Sequence, residues 1–138
     1  MARKIVLVGG CFDVLHFGHI QFLKAAKKYG DFLVVALESD EFIRKFKHRQ
    51  PVHTQLERAV ILKQIRAVDK VICLKLFKSY EDYLNLVKKI KPAVIAVTKE
   101  DPQLENKKKQ AKLVGATVKT VINRVNNLSS NKIIAKLN

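Results

Sequence analysis

Cysteine is scarce: Cys11 and Cys73 are the only two, without C-x-x-C spacing, so neither a disulfide framework nor a zinc site is expected. Five glycines and three prolines form no low-complexity tract or linker, and no repeat is visible, so the 138 residues are expected to make a single domain spanning 1–138. No apolar run approaches the ~18 residues that cross a bilayer. Met1-Ala2-Arg3-Lys4 leads into a short strand-like run and not a signal sequence. The chain is therefore expected in the cytoplasm, with no membrane partner. Acidic residues are the last shortage, 12 against 27 lysines and arginines, for a net charge of +15. Such a balance suits an anionic partner, triphosphate or nucleic acid. The basic residues are spread along the chain and not gathered in a tail, which favours a solvated basic surface over a dedicated nucleic-acid platform.

What is present is apolar patterning. Hydrophobic residues make up 48% and charged residues 28%, which places the chain among ordinary globular proteins. Lys4 to Val8 reads as a strand ended by Gly9-Gly10, followed by a helix carrying Ile20, Phe22, Leu23 and Ala26. Phe32 to Leu37 is apolar throughout, as in strands buried on both faces. Thr54 with Glu57 three residues on has capping-box spacing and opens the next helix. Val71 to Leu74 is a third strand, and Ser79 with Asp82 begins a helix that Pro92 ends. Ala93 to Val97 is a fourth strand, Leu104 to Val114 a helix stopped by Gly115, Thr117 to Ile122 a fifth strand, and Ser129 to Leu137 a last helix. This alternation predicts an α/β fold: a doubly wound, Rossmann-like, parallel five-stranded sheet with helices on both faces.

In such sheets ligands bind beyond the carboxyl ends of the strands, a region that includes the loop after the first strand. That loop reads Gly9-Gly10-Cys11-Phe12-Asp13-Val14-Leu15-His16-Phe17-Gly18-His19. Its glycines let backbone amides approach a phosphate, and His19 falls at a helix start, where anions are favoured. A lone histidine is more often a capping or surface residue, but two flanking a glycine directly after the first strand point to one phosphate.

The segment resembles the H-x-G-H signature of the cytidylyltransferase-like nucleotidyltransferases, and Gly10-x-Phe12-Asp13 fits the same pattern. The likeness continues through Ser39-Asp40, through Lys47 with Arg49 to Val52, and through Glu57-Arg58. Arg66 to Ile72 is similar to the R-Y-V-D-E-V-I stretch of the glycerol-phosphate branch, and Arg124 with Leu128 to Ile133 is similar to R-T-x-G-I-S-T-T-K-I.

The resemblance implies transfer of a nucleoside monophosphate from a nucleoside triphosphate to a phosphorylated small molecule, with release of pyrophosphate. Such transfer requires positioning and charge neutralisation above all. His16, His19 and Lys47, with Lys45 as its rival, are then the catalytic set. Gly10, Cys11, Phe12, Asp13, Gly18, Asp101, Arg124, Leu128, Ser129 and Ser130 are the nucleotide-binding set. Asp13 would organise the loop or assist Mg²⁺, the expected cofactor because the triphosphate carries more charge than the protein donors neutralise. Arg58 and Arg66 would bind phosphate of either substrate or hold a subunit interface, and the Arg66 to Ile72 stretch implies a homodimer. Ser129 would serve the phosphates or simply cap the final helix.

Thr98 to Pro102 stands where several branches carry a glycine-aspartate element near the base. Asp101 there either accepts from an exocyclic amino group or caps the following helix. CTP with glycerol 3-phosphate or a sugar phosphate is the favoured pair. Alternatives are ATP with heptose phosphate or FMN, and, from another class, a non-catalytic basic protein that binds nucleic acid.

Overall fold

The computed structural model describes residues 3–121. Strands β1 (Ile5–Gly10), β2 (Phe32–Leu37), β3 (Lys70–Cys73), β4 (Val94–Val97) and β5 (Thr117–Thr120) form one sheet in the order β3-β2-β1-β4-β5. Every pairing is parallel. The helices are α1 (Phe17–Lys27), α2 (Asp40–Phe46), α3 (Gln55–Lys63), α4 (Tyr80–Ile90) and α5 (Leu104–Val114). The fold is the doubly wound α/β sheet that the strand–helix alternation dictates. Chain order reverses between β1 and β4, so a crevice opens above their carboxyl ends.

Two apolar layers sandwich the sheet. Val6, Val8, Leu33, Val35 and Leu37 face Phe22, Leu23 and Ala26 of α1 and Ala59 and Leu62 of α3. On the other face Leu7, Val34, Ala36, Ile95 and Val97 meet Val87 of α4 and Ala111 of α5. Central strands flanked by helices on both sides must be apolar at every position, which is why Phe32 to Leu37 carries no alternation.

Local chemistry sets the helix ends. The Thr54 hydroxyl accepts from the Glu57 N–H and the Glu57 carboxylate from the Thr54 N–H, so the capping box forms as its spacing predicts. Ser79 caps α4 through the Asp82 N–H. That helix stops at Lys91, which takes the left-handed conformation (φ 55°) just ahead of Pro92, and α5 stops at left-handed Gly115. Helix α2 is absent from the sequence expectation. Its start is Ser39, whose hydroxyl accepts from the Phe42 N–H, with Asp40 and Glu41 in the first turn. Seven residues are too few to display a helical period. The expected Ser129 to Leu137 helix lies outside the described residues.

Candidate active site

Above the carboxyl ends of the strands lies a cleft of about 1500 Å³, lined by residues of the β1–α1 loop, α2, the β3–α4 connection, the β4–α5 loop and α5. One corner of it is the glycine-histidine loop. His16 is the N-cap of α1, and its Nδ1 accepts from the Gly18 N–H at 3.0 Å. The His16 N–H donates in turn to Nδ1 of His19 at 3.2 Å. The two rings stack with centroids 3.9 Å apart.

An imidazole whose Nδ1 accepts carries its proton on Nε2, so both histidines are fixed in one tautomer with Nε2–H as a free donor. Burial lowers both pKa values. His19 falls to about 4 through burial and the neighbouring His16. The pair is therefore neutral near pH 7 and offers hydrogen bonds without a fixed positive charge.

The loop before the pair is strained into shape: Phe12 and Val14 both have positive φ, 46° and 61°. Phe12 is buried edge-on against His19 at 5.2 Å, and a Cβ on Gly10 would stand 2.9 Å from the Phe12 ring. A side chain at position 10 would displace the ring that supports His19. Cys11 lines the cleft, but burial pushes its thiol up to about 11, so it stays protonated and is no nucleophile.

Asp13 is fully buried. Its carboxylate accepts from Arg49 at 2.7 Å and from the Val52 and His53 N–H groups at 2.8 and 3.0 Å. Burial alone would raise its pKa, but these three donors outweigh it and hold the carboxyl below the usual range. Of the roles expected for Asp13, organising the loop is the one its contacts fill. It does not line the cleft, so its assignment to the nucleotide-binding set is corrected.

Arg58 is corrected likewise. Its side chain is fully buried and donates to the carbonyls of His53, Cys11 and Glu38 and to the Asp40 carboxylate at 2.7 Å, which leaves it no route to a substrate phosphate. Arg66 is exposed and is not among the residues that line the cleft.

Lys47 does line the cleft, whereas the Lys45 ammonium lies 5.6 Å from the centroid of the Phe46 ring. Gly10, Phe12, Gly18, His16 and His19 are cleft residues as well. Asp101 lines the cleft, but its carboxylate accepts from the Gln103 N–H at 2.7 Å and pairs with Lys107 at 2.5 Å. The N-cap of α5 is Gln103, so Asp101 stands two residues before the cap and not at it, as its place ahead of Pro102 had suggested. Arg124, Leu128, Ser129 and Ser130 lie outside the described residues.

A resident metal would need clustered carboxylates or imidazoles, and among the described residues no group of three such side chains is placed to hold one. Asp13 is saturated by its donors and Asp101 is paired. Among the described residues no helix is long and apolar enough to cross a membrane.

Sequence reasoning missed the opposite wall. Glu38 follows β2 and is only 8% exposed; its Oε2 accepts from the Tyr83 hydroxyl at 2.7 Å. Phe42 and Phe46 from α2 lie 4.8 Å apart, and Phe77 stands edge-on to Tyr83 at 4.9 Å; all four rings line the cleft. The aromatics stand singly in the sequence, and Glu38, directly after an apolar strand run, belongs to no spacing motif.

The cytidylyltransferase-like family model matches residues 7–136. FAD synthase of Pyrococcus horikoshii is 43% identical over 121 residues, covering 86% of this chain and 80% of that protein. The bifunctional protein HldE of Aliarcobacter butzleri is 40% identical over 96 residues, covering 69% of this chain and 19% of its own length. Among solved structures, a lipopolysaccharide core biosynthesis protein of Thermoplasma volcanium superposes with a TM-score of 0.70 at 29% identity, covering 90% of this chain and 98% of the other. With the histidine pair seated on the β1–α1 loop and the match running through nearly all of the sequence, the chain belongs to the cytidylyltransferase-like family of nucleotidyltransferases.

Proposed function

We propose that this chain transfers the adenylyl group of ATP to the phosphate of FMN, releasing pyrophosphate. The observation that carries the reading is the pairing, in one cleft, of the two Nε2–H donors with Phe42, Phe46, Phe77 and Tyr83, which offer faces and edges to a planar ring system. The likeness to FAD synthase supports both the base and the acceptor, and the likeness to HldE supports adenylyl over cytidylyl transfer. CTP and a polyol phosphate, the pair favoured by the sequence, rested on Arg66 to Ile72 and on Ser129 to Ile133. The first stretch begins at a residue outside the cleft, and the second is not described.

An oxygen of the acceptor phosphate attacks the α-phosphorus of ATP while the bond to the β-phosphate oxygen breaks. The attacking oxygen needs no deprotonation, so no general base is required. His16 and His19 donate from Nε2 to oxygens that gain charge in the transition state, and Lys47 adds a mobile positive charge. Mg²⁺ carried on the triphosphate would neutralise charge on the departing pyrophosphate. A homodimer belongs to the same reading, through exposed Arg66 and the edge strand β3 that follows it.

The test is pyrophosphate release with ATP and with CTP, each against FMN, heptose phosphates and glycerol 3-phosphate. Release with ATP and FMN is expected. Release with CTP and glycerol 3-phosphate alone would overturn the proposal.

A further inference from the structure

Two buried side-chain polar atoms among the described residues have no hydrogen-bond partner, Nε2 of His16 and Oε1 of Glu38. Both side chains line the cleft. A buried polar atom without a partner is costly, so each calls for an explanation. For His16 the phosphate reading supplies one. Nothing in the reaction derived above uses Glu38.

Its setting is specific. The Glu38 N–H donates to the Gly10 carbonyl at 3.0 Å, which places the residue beside the phosphate loop, one strand away from the histidine pair. Its own carbonyl accepts from Arg58, and Oε2 takes the Tyr83 hydroxyl. The backbone and one carboxyl oxygen are thus fixed, and the second oxygen remains. Burial raises the carboxyl pKa, and the Tyr83 hydrogen bond and the charges of Lys107, Lys47 and Arg58 offset this only in part. Glutamine or methionine would fill the same volume at less cost, and a carboxyl here has no structural partner for Oε1.

We propose that Glu38 is a specificity-determining residue whose Oε1 accepts a hydrogen bond from a hydroxyl of the acceptor, on the chain that leads to its phosphate. The inference rests on the reading of this cleft as an adenylyl-transfer site with a hydroxylated acceptor. The acceptor phosphate must reach the α-phosphorus beside His16 and His19, and Glu38 is one strand from that corner, so the atoms it meets are those next to the phosphate and not the distant ring. The aromatic side chains Phe77 and Tyr83 share this wall and leave the ring a place further out. The ATP ribose is the other source of a hydroxyl, and the experiment separates the two.

The full chain is titrated with FMN and with a flavin phosphate whose ribityl hydroxyls are replaced by hydrogen, read by flavin fluorescence. Wild type should prefer FMN by roughly 10- to 100-fold, the range for a hydrogen bond to a charged group. Glu38→Leu should bind both ligands alike and weakly, and Glu38→Gln, which keeps one oxygen, should retain part of the preference. Glu38→Gln, which keeps an acceptor for the Tyr83 hydroxyl, should melt no lower than wild type, and both variants should keep an unchanged upward shift in ATP.

A preference that survives in Glu38→Leu places the contact elsewhere and overturns the proposal. A fall in melting temperature in both variants means that Glu38 supports the fold, which overturns it too. If Glu38→Leu instead loses discrimination between ATP and 2′-deoxy-ATP and keeps that for FMN, the hydroxyl is the ribose's and the proposal fails. Wild type that binds ATP but not FMN overturns the flavin reading itself, and the proposal with it.

Discussion

Asp13 and Glu38 are both buried carboxyl groups at the carboxyl ends of adjacent strands, yet they are furnished in opposite ways. Asp13 has three donors and a depressed pKa; Glu38 has one donor, a free oxygen and a raised pKa. A charge whose partners are complete builds structure, because everything it needs is inside the protein. One whose partners are incomplete costs stability and is retained for something that arrives from outside.

The sharpest way to break this comparison is Asp13→Ala. It removes one acceptor of Arg49 and the acceptor of two backbone N–H groups, and the expected loss is about 3–5 kcal/mol by chemical denaturation. A loss under about 1 kcal/mol would mean that the Asp13 network is decorative, and the contrast with Glu38 would dissolve.

Next in size are His16→Ala and His19→Ala. In the proposed reaction each removes a donor that acts on charge formed in the transition state, and each should cut turnover by about 100-fold or more, or about 3 kcal/mol. Circular dichroism should report an intact fold. Normal turnover in either variant would remove that histidine from the chemistry.

The most gradual expected effect is on the slope of stability against pH. Between pH 6.5 and about 4 the unfolded chain takes up a proton that buried His19 refuses. Stability should therefore fall as pH falls through that window, by up to roughly 1.4 kcal/mol per pH unit for one proton. Protonation would also end the acceptor role of Nδ1. Glu38, with its raised pKa, acts in the opposite sense, so the informative quantity is the difference between wild type and His19→Gln. A flatter slope is expected in the variant. Identical slopes would show that His19 titrates normally.

How much of this was legible in the sequence follows from the range of the interactions. The β-strands and four of the five helices among the described residues are encoded by neighbours: apolar runs, Thr54 with Glu57, Ser79 with Asp82, and Gly115. The histidine pair is local too, since His16, Gly18 and His19 hold one another across three residues. The other wall is assembled from Glu38, Phe77 and Tyr83, joined by a hydrogen bond spanning 45 positions, and no spacing rule reports such a meeting. Arg58 shows the same limit from the other side. Its motif position suggested a phosphate contact, and only its burial among carbonyls from three segments reveals a structural role.

That buried guanidinium has a mechanical consequence. By holding the carbonyls after β1, after β2 and before α3, together with Asp40 at the start of α2, Arg58 joins both walls of the cleft at one node. The histidine corner and the Glu38 corner are therefore tied to one fully buried cation, and neither can drift without breaking a hydrogen bond there. In the proposed reaction the spacing between the two substrates is in effect machined into the scaffold. Any closing over them must come from segments that Arg58 does not hold, such as the Thr98 to Gln103 stretch on the far side of the sheet's crossover.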